Sequence, residues 1–289
     1  MRVLSEIVYG LLAAFGWGTG DFLAKLSSDK IGYLRTALYM QVVSGVFLIF
    51  FSLPDMPRLW QYPTATAAAA ELGVVSLVGL LALYKGFQTG KLSMVSPIVS
   101  GYPALTSLLA VLLLGETLTP MRGLGVVVTI SGVVLVSVQS QRAAGAETTM
   151  KTSGIVYALL AFAVFGLLYL AIKLVVITLG VWLPILMLRW VSAGILGISL
   201  IASGRSFAPP KLDSFRLVGP VAMLDTFGNI AYNSGVITGS IAIVSTLSGL
   251  FSAVTIGFAW LWLKERLARH QLIGVLAILS GVILIGYFA

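Results

Sequence analysis

The sequence has few charged residues for its length and no cysteine. Asp, Glu, Lys and Arg make up 10% of its 289 residues, whereas hydrophobic residues make up 58%. A soluble domain carries about 25% charged residues, because its surface must be hydrated. This chain has only 18 basic and 10 acidic side chains that could hydrate its surface. Most of its surface must therefore face lipid.

The lack of cysteine and of all but one histidine excludes several kinds of site. Disulfides and thiolate metal centres need cysteine, and His270 alone cannot build a histidine-based metal site. The sequence also has no phosphate-binding glycine loop between a strand and a helix, and no Ser–His–Asp set. We therefore predict no metal, no cofactor and no enzymatic activity.

Long apolar runs are abundant. In lipid, only helices and closed barrels satisfy their own backbone polar groups. Runs of about twenty residues match a membrane-spanning helix, whereas barrel strands alternate over about ten residues. We predict an all-α membrane protein with ten transmembrane helices, at about 3–26, 34–53, 67–88, 91–114, 121–139, 152–175, 181–203, 215–236, 240–263 and 269–288.

The two halves of the sequence match each other after a shift of 148 residues, or of 149 residues beyond one insertion. Lys25 coincides with Lys173, Ser96 with Ser245 and Glu116 with Glu265, and glycines match throughout. Because polar and glycine matches stay in register, they indicate a duplication. We divide the chain into a first repeat (1–139), a linker (140–151) and a second repeat (152–289).

The duplication predicts an inverted arrangement. Five helices are an odd number, so the second repeat must enter the membrane from the opposite face. Inverted repeats are typical of secondary transporters, which bind substrate near the midplane where the repeats meet. We therefore predict a transporter that works by alternating access in the lipid bilayer. A passive channel or a lipid scramblase remains the alternative from another class. A monomer is expected, with a dimer as the alternative.

Two segments that close the repeats carry a family resemblance. LLLGETLT (112–119) precedes GLGVVVTISGVVLVS, and LWLKERLA (261–268) precedes IGVLAILSGVILIG. Together with AFGWGTGDFLAKLS near the amino terminus, they resemble the drug/metabolite transporter superfamily, specifically its ten-helix EamA branch. The resemblance covers essentially the whole chain. It implies a central cavity lined mainly by helices 1, 3, 4, 6, 8 and 9, with helices 5 and 10 at the periphery, but it selects no substrate.

Three ionisable residues stand out inside predicted helices: Asp21 in helix 1, Arg189 in helix 7 and Asp225 in helix 8. A charge there costs about 2.5–3.5 kcal/mol on insertion scales, so it marks a functional site by default. Two carboxylates near one cavity suit an amine or cationic substrate, or a coupling proton. Arg189 is the candidate charge partner, and its pairing with one aspartate as a structural bridge is the alternative.

Polar and aromatic residues accompany these charges. Asn229 and Asn233 follow Asp225 at a spacing of four, which places them roughly on one helix face. Trp17 precedes Asp21 by four, so an aromatic face and a carboxylate can hold a cation together, although Trp17 can equally serve packing. Tyr84 is the repeat equivalent of Asn233. The predicted substrate-binding residues are Trp17, Asp21, Tyr84, Asp225, Asn229 and Asn233.

The predicted substrate is an amino acid, an amine or another cationic solute. A sugar or another neutral metabolite is the alternative, because polyols need only amides, hydroxyls and aromatic faces.

The distribution of Lys and Arg predicts the orientation. Four lie on the face of the two termini and thirteen on the opposite face. Because cytoplasmic loops are rich in Lys and Arg, the termini are expected outside the cell membrane. The same rule explains the net charge of +8 without a nucleic-acid partner.

Overall fold

All secondary structure in the described residues is helical. The computed structural model describes residues 2–114, 119–137, 147–204, 212–238 and 241–288. We number the helices as α1 (Arg2–Ile31), α2 (Tyr33–Ser52), α3 (Pro63–Thr89), α4a (Leu92–Ser100), α4b (Tyr102–Leu114), α5 (Pro120–Ser137), α6 (Glu147–Leu179), α7 (Trp182–Ala202), α8 (Leu212–Thr238), α9a (Ile241–Ser248), α9b (Phe251–Leu261) and α10 (Arg269–Tyr287). A 3-10 turn (Leu53–Asp55) and a short helix (Arg58–Gln61) connect α2 to α3.

Eight spans within the described residues are long and apolar enough to cross a membrane. They are Ser5–Ile31, Tyr33–Asp55, Pro63–Thr89, Leu92–Leu113, Gly154–Leu179, Trp182–Ala202, Ile243–Leu261 and Arg269–Tyr287. The helix α5 contains a shorter apolar stretch, Pro120–Val136, and α8 carries Asp225 in its interior. The prediction of an all-α, multi-pass membrane protein is confirmed.

Helix boundaries repeat between the halves. Gly32 follows α1 with φ 86°, and Gly180 follows α6 with φ 83°. These glycines are 148 residues apart, the spacing of the repeat. Both adopt the left-handed backbone conformation that favours glycine. The two repeats therefore end their first helix by the same local geometry.

Two predicted helices, 91–114 and 240–263, are each broken in the middle. The first is interrupted at Gly101, and the second at Gly249 and Leu250. Next to each break, a serine hydroxyl donates to a carbonyl three residues earlier: Ser100 Oγ to Pro97 O (2.9 Å), and Ser248 Oγ to Ser245 O (3.0 Å). Such bonds compete with helical pairing. Proline contributes to the first break only, because the second has none.

Helix packing follows the repeat. The helix α1 packs against α8 and α9, and its equivalent α6 packs against α3 and α4. The helices α2 and α7 pack on each other, as do α5 and α10. For each of these helix pairs, the equivalent helices of the other repeat are also in contact. This is expected for a two-repeat architecture.

Glycines allow close contact between α5 and α10. A Cβ atom added at Gly132 would lie 2.6 Å from the carbonyl oxygen of Gly274, and one added at Gly125 would lie 2.9 Å from that of Gly281. These distances leave no room for a side chain. These four glycines therefore let the backbones of α5 and α10 approach each other closely.

The glycine contact gives a stability prediction. We expect Gly132→Ala to lower the free energy of unfolding by about 1–3 kcal/mol, because the methyl group must push α5 away from α10. Gly123 provides a matched control in the same helix, because a Cβ there meets no described atom within 4 Å. Thermal unfolding in detergent should show a lower melting temperature for Gly132→Ala and no loss for Gly123→Ala. Equal melting of the two variants would contradict close packing.

Candidate functional site

A cavity of about 80 Å³ lies between the two repeats. Its wall includes α7 besides the helices implied by the family resemblance (1, 3, 4, 6, 8 and 9). The lining residues are Trp17, Asp21, Ser76, Leu80, Leu83, Val99, Tyr102, Phe165, Leu168, Tyr169, Ile172, Ile185, Leu188, Arg189, Asp225, Asn229, Asn233 and Phe251.

Many lining residues are repeat equivalents of one another. Five pairs lie on the wall: Trp17 with Phe165, Asp21 with Tyr169, Ser76 with Asp225, Leu80 with Asn229, and Tyr102 with Phe251. The cavity therefore lies where equivalent positions of the two repeats come together. Its chemistry is asymmetric, because Arg189, Asp225, Asn229 and Asn233 all come from the second repeat.

Arg189 and Asp225 form an ion pair on this wall. Arg189 Nη2 binds Asp225 Oδ2, and Arg189 Nη1 donates to Gln41 Oε1 at 3.0 Å. Gln41 is the repeat equivalent of Arg189, 148 residues earlier, so this hydrogen bond joins equivalent positions of the two repeats. Both residues are buried. Gln41 thus holds the guanidinium group in position to neutralise Asp225.

The two asparagines have different partners. Asn229 Nδ2 donates to Asp225 Oδ2 at 3.1 Å and to the backbone oxygen of Asp225 at 2.8 Å. Asn233 Nδ2 donates to Val181 O at 3.0 Å, in the connection between α6 and α7. The spacing of four places both side chains on the cavity wall, where their amide oxygens remain available as acceptors.

Asp21 differs from Asp225 in having no partner. Its side chain lines the cavity and the residue is 9% exposed. Across the described ranges, Asp21 forms neither an ion pair nor a hydrogen bond. With Arg189 and Asp225 paired, Asp21 is therefore the acidic side chain of the cavity that has no charge partner among the described residues.

Aromatic rings form a continuous part of the wall. Trp17 and Tyr169 have centroids 5.7 Å apart, Tyr169 stacks on Tyr102 at 4.6 Å, and Phe251 meets Trp17 edge-on at 6.4 Å. Of these rings, the sequence predicted only Trp17. The repeat register offered a signal for another, because Tyr169 is the equivalent of Asp21.

Tyr84 is the predicted site residue that lies apart from the cavity wall. It is 2% exposed, and its ring stacks against Phe87 with centroids 6.2 Å apart. The neighbouring Leu83 reaches the wall instead. Tyr84 therefore serves packing here, whereas its repeat equivalent Asn233 reaches the cavity.

Comparison with known proteins identifies the family. The model of the EamA-like transporter family matches residues 4–138 and 152–287, one match for each repeat. The chain belongs to the EamA-like transporter family. An EamA-like protein is a multi-pass membrane transporter of the drug/metabolite type. Within the described residues, no group of three or more metal-ligating side chains is found.

A protein of known sequence and a solved structure also resemble this chain. An uncharacterized protein of Methanocaldococcus jannaschii is 31% identical over 136 residues, which are 47% of this chain and 98% of that protein. Its length is thus about that of one repeat. A solved crystal structure superposes with a TM-score of 0.70 at 15% identity, covering 97% of this chain and 96% of the other. That likeness concerns the fold.

Proposed function

We propose that the protein is a secondary transporter that moves a small cationic solute, such as an amine or an amino acid, by alternating access between inverted repeats. The unpaired carboxylate of Asp21 carries this proposal. An isolated carboxylate in a low-dielectric wall is costly unless a positive charge compensates it. A solute that brings this charge gains the interaction that the protein leaves unfilled.

The charges of the cavity match a monovalent cation. With both carboxyl groups ionised, Asp21 and Asp225 contribute two negative charges and Arg189 one positive charge, which gives a net charge of −1. A volume of about 80 Å³ suits a compact solute and not a lipid. A coupling proton on Asp21 would compensate the same single negative charge, because the cation and the proton would compete for one carboxylate.

The internal symmetry supports alternating access. The paired cavity residues and the equivalent breaks in α4 and α9 give the halves interchangeable local structure. With α5 and α8 as further spans, the chain crosses the membrane ten times. Five spans in each repeat then make the repeats inverted, so exchanging their conformations would open the cavity to the other side.

We further propose that the chain acts as a monomer in the cell membrane with its termini outside, following the excess of Lys and Arg on the opposite face. The chain contains no cysteine, so one introduced cysteine can report this orientation. A membrane-impermeant maleimide should label a cysteine at position 2 in intact cells; labelling only after lysis would reverse the assignment.

Counterflow in proteoliposomes tests the function. We expect saturable counterflow for at least one cation among choline, ethanolamine and lysine, and none for glucose or inositol, because only a cation compensates Asp21. Liposomes with the Asp21→Asn variant are the matched control. Counterflow of the neutral solutes alone would favour the sugar alternative, which the free amide oxygens of Asn229 and Asn233 and the aromatic wall could serve. Flux that does not saturate would indicate a channel.

A further inference from the structure

We propose that the cavity selects alkylated ammonium groups, quaternary or tertiary, over primary amines. This inference rests on the proposed function, because it specifies which cation binds beside Asp21. The aromatic wall, defined as Trp17, Tyr102, Tyr169 and Phe251, lines the same cavity as this carboxylate. Electron-rich ring faces attract cations, and sites made of such rings recognise quaternary ammonium ligands.

The aromatic wall presents carbon faces and few hydrogen-bond acceptors. Trp17 offers only a donor and Phe251 has no polar atom. The hydroxyl of Tyr102 is already hydrogen-bonded to Ser248 Oγ at 3.0 Å. Trp17 and Phe251 therefore offer methyl or methylene groups a carbon surface and offer N–H groups no acceptor.

A primary ammonium group depends more strongly on hydrogen-bond acceptors than an alkylated ammonium group does. It has three N–H donors and is strongly hydrated in water. Asp21 is the free carboxylate, because Asp225 Oδ2 already accepts from Arg189 and Asn229. An alkylated ammonium group needs one negative charge and an apolar surround, and both are present.

The rings contact one another, so the ligand does not intercalate between them. Centroid separations of 4.6–6.4 Å leave no gap wide enough for a group to enter. The alkylated ammonium group therefore lies over the aromatic wall with its charge toward Asp21. A single net negative charge further selects monocations over dications.

Three ligands of similar size test the selectivity. Choline carries a trimethylammonium group, ethanolamine replaces it with a primary ammonium group, and 3,3-dimethylbutan-1-ol replaces it with a neutral group of the same shape. We expect calorimetric titration of the purified full chain to give choline an affinity at least about tenfold above both others. Binding of ethanolamine equal to or tighter than that of choline would overturn the inference, as would equal binding of the neutral alcohol.

Variants of Trp17 test the role of the ring. Trp17→Leu should weaken choline binding by about tenfold or more, whereas Trp17→Phe should retain most of it because a ring face remains. Phe251→Leu is a second variant in case Trp17→Leu fails to fold. A choline-to-ethanolamine ratio that stays unchanged in the folded leucine variants would refute the aromatic contribution.

The outcomes separate this inference from the proposed function. If ethanolamine or lysine binds in preference to choline and Asp21→Asn abolishes that binding, the cation transporter stands and the selectivity fails. If no cation binds while glucose or inositol does, both fail.

Discussion

Asp225→Asn should lower the free energy of unfolding by about 3 kcal/mol, because it leaves the guanidinium group of Arg189 buried without its charge partner. Arg189 has a side chain only 6% exposed, and Gln41 supplies a single neutral acceptor to it. Thermal unfolding of the purified protein in detergent measures the loss. The variant should melt well below the wild type.

The double variant Arg189→Gln/Asp225→Asn is the control for this prediction. It removes both charges together, so we expect it to recover much of the stability lost in Asp225→Asn. Such recovery would identify the ion pair as the cause. If the single variant melts like the wild type, Arg189 is not dependent on Asp225.

Asp21→Asn should impair transport without lowering the stability of the protein. We expect it to reduce counterflow of the transported cation by well over tenfold, because the cation would be desolvated without a compensating charge. Its melting temperature should equal or exceed that of the wild type, because the substitution removes a buried carboxylate that has no partner among the described residues. Counterflow and thermal unfolding are measured on the same preparation.

Glu71→Gln is the matched control for Asp21→Asn. It also neutralises one carboxylate in a predicted transmembrane helix, but Glu71 is exposed and does not line the cavity. We expect its counterflow to match that of the wild type. Normal counterflow by Asp21→Asn across pH 5 to 8 would show that this carboxylate binds neither cation nor proton.

The sequence determined the helical membrane fold because its cause is local. Scarce charge and apolar runs of membrane length leave helices as the stable structure in lipid. The repeat register also came from sequence, since glycines at equivalent positions end α1 and α6 and form the contact between α5 and α10. These features depend on residue type and spacing, which are readable one segment at a time. Pro97 and Pro103 signal an interruption in α4, whereas α9 contains no proline to signal its break.

The site was readable only in part. Membrane-embedded charge singled out Asp21, Arg189 and Asp225, and a spacing of four added Asn229 and Asn233. The sequence did not predict which aspartate pairs with Arg189. That pairing depends on how α7 packs against α8 and on Gln41 from α2. Helix rotation in the bundle likewise decides that Tyr84 lies apart from the cavity wall and that Tyr102 and Phe251 line it. The sequence by itself thus determined which residues could carry charge and polarity inside the membrane. Only the tertiary structure decided which of them neutralise each other and which remain for a ligand, because partners from distant segments meet only after the helices pack.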